Sequence, residues 1–135
     1  MGDVEIKKIL EEVRSIAVIG GSTDTSRPSY GVIGYLVREG YDVYPVNPGH
    51  TGEAIHGRQV YASLDDLPRT PDMVDCFRRS DAMVDVAREA VKSGASVLWM
   101  QLGVINEEAA KIAREAGMTV VMDRCPAIEG PRLGV

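Results

Sequence analysis

The feature that most constrains the fold is an alternation along the chain. Short, wholly apolar runs such as IAVI at 16–19 and VLWM at 97–100 are separated by segments whose apolar residues recur at helical spacing. A run with no polar face suits a strand covered on both sides, as in a parallel sheet. Between the runs, Ile6, Ile9, Leu10 and Val13, then Val32, Ile33, Leu36 and Val37, then Met83, Val84, Ala87 and Val91 each mark one face of a helix. Asp3, Ser29, Ser80 and Asn106 are the expected caps, and Gly40, Gly94 and Gly117 the expected stops. Strands are expected at 16–19, 41–46, 74–77, 97–100 and 119–122. The stretch 50–71 is less regular, with a short strand expected at 59–61 and a helical turn around 64–67. Strands alternating with helices imply right-handed crossovers. The expected fold is a Rossmann-like, doubly wound, mostly parallel sheet of about five or six strands in a three-layer α/β/α arrangement, one domain spanning 1–135.

Composition narrows the function. A formal net charge of −5 disfavours a general nucleic-acid binder, which needs a basic face. The chain has no long apolar run, and its opening MGDVEIKKILEEVR is charged rather than signal-like, so a cytoplasmic protein without a membrane span is expected. Cys76 and Cys125 share no short spacing, and a structural disulfide is not expected.

In doubly wound folds ligands sit beyond the carboxyl ends of the strands. Those ends carry the chain's unusual residues: Gly20-Gly21-Ser22, Asn47-Pro48, Arg78-Arg79, and Gln101 with Gly103. The loop GGSTDTSRPS runs into a helix, combining backbone amides, hydroxyls, Arg27 and the positive end of a helix dipole, which together suit phosphate. No Lys-Ser or Lys-Thr follows as in a Walker loop, and Thr25 stands where G-x-G-x-x-G needs its last glycine. The second strand ends in Asn47 rather than the acid that holds an NAD ribose, which leaves room for a ligand with an extra ribose phosphate. His50, Glu53 and His56 fall short of a metal set. Cys125, just after the last strand, is a candidate for a mixed disulfide with a ligand thiol.

GGSTDTSRPSYGV, YPVNPGHTGEAIHG, DCFRRSD, VLWMQLGV and MDRCPAIE, in that order, resemble the small stand-alone CoA-binding proteins. These are relatives of the nucleotide-binding domain at the front of the succinyl-CoA synthetase alpha subunit. The resemblance implies coenzyme A, or an acyl-CoA, bound across the strand ends. It puts the diphosphate at Gly21, Ser22 and Thr23, just after Gly20, with Arg27, Ser29 and Tyr30 at the helix entrance. It puts Asn47 and Pro48 beside the adenosine, Phe77, Arg78 and Arg79 on the opposite strand end, and Trp99, Met100 and Gln101 along the pantetheine arm. The synthetase has a lysine after its second strand, where this chain has His50. Pairing into a homodimer is also expected for such small domains.

No nucleophile, base and metal converge in the sequence, and the phosphorylated histidine of the synthetases belongs to a second domain. A CoA sensor, carrier or detached subunit is therefore the expected role. An NADP-linked oxidoreductase and an interaction module without ligand are the alternatives.

Overall fold

A computed structural model describes residues 1–135. Five helices, α1 (Asp3–Glu12), α2 (Pro28–Arg38), α3 (Met83–Ser93), α4 (Glu107–Glu115) and α5 (Pro126–Leu133), surround the strands β1 (Ser15–Ile19), β2 (Asp42–Val46), β5 (Met73–Cys76), β6 (Val97–Met100) and β7 (Thr119–Val121). These strands form one parallel sheet in the order β2-β1-β5-β6-β7. The remaining strands, β3 (Ala54–Ile55) and β4 (Arg58–Gln59), make a small antiparallel hairpin. The fold is thus the Rossmann-like α/β arrangement expected, with five strands in its main sheet.

Alternation along the strands sorts the core into two layers. Ala17, Val74, Leu98 and their neighbours pack beneath α3 and α4, while Ile16, Val18, Met73 and Trp99 pack beneath α1 and α2, with Cys125 at the head of α5. Burial on both faces explains why the strands read as apolar throughout. Two buried polar residues break the pattern: Ser15 at the start of β1, and Asp75 in β5, fully buried in register between Val18 of β1 and Trp99 of β6.

Three capping expectations are corrected. Asp3 lies inside α1, whose cap position is Gly2, and its carboxylate is taken by Arg132 at 2.8 and 3.0 Å. Ser29 is within the first turn of α2, entered through Arg27 and Pro28; its hydroxyl instead accepts the Ser22 amide at 3.1 Å. Ser80 opens a 3-10 turn, Ser80–Ala82, ahead of α3. Its hydroxyl accepts the Ile105 amide at 3.0 Å and donates to the Gly103 carbonyl at 3.3 Å. Asn106 does cap α4, accepting the Ala109 amide at 2.9 Å. The strand expected at 59–61 is divided between β4 and a single bridge from Tyr61 to Val46. Helix α5, which carried no expectation, closes the molecule: Arg132 binds Asp3 and Glu129, and Arg124 binds Glu129 at 2.9 Å.

Candidate functional site

The strand order reverses between β1, which continues through α2 to β2, and β5, which continues through α3 to β6. A crevice opens beyond their carboxyl ends. Gly20, Phe77 and Gln101 each stand two residues past the row Val18, Asp75 and Trp99, so they share its face of the sheet. Together with Arg27, Pro28 and Ser29 at the start of α2 and with Leu102, Val104 and Cys125, they line one cavity of about 370 Å³. The largest cleft, about 590 Å³, is at the opposite end of the sheet, between α1 and the amino ends of β5, β6 and β7. It has no glycine loop and no helix N-terminus facing a strand end, and the switch-point rule favours the smaller cavity.

Backbone geometry fixes the floor of the loop. Gly20 has φ +81°, and a Cβ there would overlap the Phe77 carbonyl oxygen, so only glycine lets β1 and β5 approach at this point. Gly21 is buried, and an added Cβ would press on Ile33 and Pro45 at 3.3 Å. Asn47 braces the loop: its amide donates to the Gly21 carbonyl at 2.8 Å, and its carboxamide oxygen accepts the Gly49 amide at 2.9 Å, capping the turn Pro48–His50. The Gly21 and Thr23 amides make no hydrogen bond within the chain and are available to an anion. The loop also contains Asp24, whose carboxylate takes the Ser26 amide and hydroxyl at 2.9 and 2.7 Å. Those bonds hold its carboxyl below the usual range. Arg27 lies 3.9 Å from it, mostly exposed, and offsets its charge. Tyr30 is half-buried, its ring tilted at 43° against His56 with centroids 4.3 Å apart, and its carbonyl contacts the imidazole at 2.9 Å. Thr23 and His50 approach at 3.5 Å, with His50 bonded to Glu53 at 2.8 Å.

Gly20, Arg27, Ser29, Phe77 and Gln101 are thus brought to one cavity, with Gly21, Ser22, Thr23 and Tyr30 in the loop and helix beside it and Asn47 and Pro48 behind the loop. Arg78 and Arg79 are exposed beyond β5, and Arg79 is only loosely paired, at 3.4 Å from Asp81. Trp99 is corrected: it is fully buried, its indole N–H donates to the Arg124 carbonyl at 2.8 Å, and it is core rather than a ligand wall. Met100 is equally buried, on the α3 and α4 side.

Sequence reasoning left out the apolar side of the cavity and the acid beneath it. Asp75 has both carboxylate oxygens buried without a partner, as is the Gln101 amide nitrogen. Burial drives the Asp75 carboxyl well above the ordinary range. The signal was present as a lone acid in the otherwise apolar run MVDC. Burial also pushes the Cys125 thiol up, which keeps it protonated at neutral pH and works against its oxidation by a ligand. The free amides, the α2 N-terminus and Arg27 fit phosphate oxygens, and the rest of the cavity fits a slender, largely neutral arm.

The comparisons agree with this geometry. Residues 14–131 match the CoA binding domain family. YneT of Bacillus subtilis is 40% identical over 121 residues, covering 90% of this chain and 88% of that protein. A hypothetical protein from Pyrococcus horikoshii has the same fold with a TM-score of 0.94 at 38% identity, covering 100% of this chain and 94% of that one. The alpha subunit of an ADP-forming acetate–CoA ligase from Pyrococcus furiosus is 29% identical over 122 residues. That match covers 80% of this chain, which spans only 26% of the ligase subunit. A family match over nearly the whole chain, together with a relative of similar length, makes this protein a member of the CoA binding domain family.

Proposed function

We propose that this protein binds coenzyme A or an acyl-CoA at the carboxyl ends of β1, β5 and β6, as a sensor, carrier or detached subunit without catalytic machinery of its own. The observation that carries this reading is the continuity of one cavity from Gly20, Arg27 and Ser29 to Gln101 and Cys125, so that a phosphate end and a neutral end share one cleft. The Arg27 guanidinium in it and the Gly21 and Thr23 amides of the loop beside it meet the phosphates, and the arm passes Phe77 toward Cys125. Arg78 and Arg79, exposed at the rim, are within the reach of long side chains for the remaining phosphate. Family membership supports the ligand class, and the similarity to part of a ligase subunit supports a role beside a separate catalytic partner. The same reading puts the protein in the cytoplasm, and a homodimer is the assembly to test by sedimentation.

Titration calorimetry with CoA, acetyl-CoA, NAD and NADP tests it. Binding of CoA, weakened about tenfold by Arg27→Ala, is the expected result, a loss of about 1.4 kcal/mol. Binding of NADP alone would move the protein to the oxidoreductases. Absence of all binding at millimolar ligand would leave the loop as architecture.

A further inference from the structure

The cavity has two chemically different ends. Near Gly20 and the start of α2 it is polar and carries Arg27, its one lining cation. Beyond Phe77 its walls are Leu102, Val104 and Cys125, and Leu102 is 58% exposed. The neighbouring cation, Arg124, is already committed to Glu129 at 2.9 Å. Beneath this end, Asp75 and Gln101 lie on the same face of adjacent strands, two residues apart in register, with three polar atoms buried and unpaired. Of the three, the Gln101 amide nitrogen is a donor whatever the protonation of the acid.

We propose that the far end of the cavity, between Phe77, Leu102, Val104 and Cys125 and above Asp75 and Gln101, is an acyl subsite that accepts an uncharged acyl group and rejects one ending in a carboxylate. The inference rests on the CoA reading, because phosphates held at the Gly20 end leave this end for the thioester. An unpaired buried donor is costly until it finds an acceptor, and a thioester carbonyl is an acceptor that a free thiol lacks. A terminal carboxylate would be desolvated against apolar walls with no cation to meet it, beside an acid that has no partner of its own. Burial holds that acid neutral, so it brings no positive charge to balance the carboxylate.

Calorimetry of the intact protein with CoA, butyryl-CoA and succinyl-CoA decides the matter. Butyryl-CoA is expected to bind at least about tenfold more tightly than succinyl-CoA, and no more weakly than CoA. Leu102→Arg, a change at an exposed position, supplies a cation at the rim and is expected to shrink that ratio severalfold. CoA binding accompanied by equal affinities for the two acyl-CoAs, or by a ratio that Leu102→Arg does not move, would overturn the acyl subsite and leave the CoA reading intact. Failure of all three ligands to bind would overturn both.

Discussion

Two buried carboxyls give this molecule opposite responses to pH. Asp75 is neutral in the folded chain because burial disfavours its charge, whereas in the unfolded chain it ionises above about pH 4. The folded state then holds a proton that the unfolded state has released, so the Asp75 contribution to stability falls as pH rises through and above the ordinary carboxyl range. In Glu129 the hydrogen bond from Arg132 outweighs burial and holds the carboxyl below its ordinary value. Its contribution is present above the unfolded pKa and is lost as pH falls. Asp75→Asn should therefore melt progressively higher than the parent as pH is raised from 4 to 7, measured by thermal denaturation at fixed salt. Parallel melting curves would mean that Asp75 is solvated or paired. At Gly20 the backbone rather than charge decides: Gly20→Ala adds a left-handed penalty and an overlap with the Phe77 carbonyl, so we expect it to cost at least about 2 kcal/mol. Urea titration measures this.

Among the elements, strands and helices with a strong apolar period were legible from sequence, and those made by contacts were not. IAVI and VLWM announce β1 and β6 because burial on both faces leaves no polar position, and Asn106 announces α4 because its carboxamide oxygen stays with the Ala109 amide even as its nitrogen donates to the Ser80 carbonyl. Ser29 and Ser80 look like caps by type, yet tertiary bonds to Ser22, Gly103 and Ile105 claim their hydroxyls. Helix α5 was missed because PAIEGPRL includes two prolines and a glycine. What holds it is contact: a Cβ on Gly130 would overlap the Tyr35 hydroxyl of α2, so the glycine permits the two helices to touch. Gly130→Ala should destabilise the parent by about 1–3 kcal/mol, and distinctly less in a Tyr35→Phe background. Additive effects in the double-mutant cycle would dismiss this contact as the reason for the glycine. The site was legible to the same degree. Its glycine loop and Phe77 follow from strand ends, while Trp99, read as a wall, needed the sheet register to show that it faces the core.

For the molecule as a whole, binding and folding are linked. A ligand that occupies only the folded state at a hundredfold excess over Kd adds about 2.7 kcal/mol, which for a chain of this size raises Tm by roughly 10 °C. Saturating CoA should produce a shift of that order in the parent and a smaller one at the same concentration in Arg27→Ala. An unchanged Tm in both would contradict CoA binding. Little loop ordering should accompany the event, because the turns beyond β5, β6 and β7 are already stitched together. Ser80 bonds to Gly103 and Ile105, and the Gly103 amide donates to Asp123 at 2.7 Å.

The bond between Asp3 and Arg132 joins residues 129 positions apart. It ties the first helix to the last, so fraying at one terminus weakens the hold on the other. Amide hydrogen exchange in α1 and α5 should accordingly rise together in Asp3→Asn, with faster exchange appearing at the end of the chain most remote in sequence from the substitution.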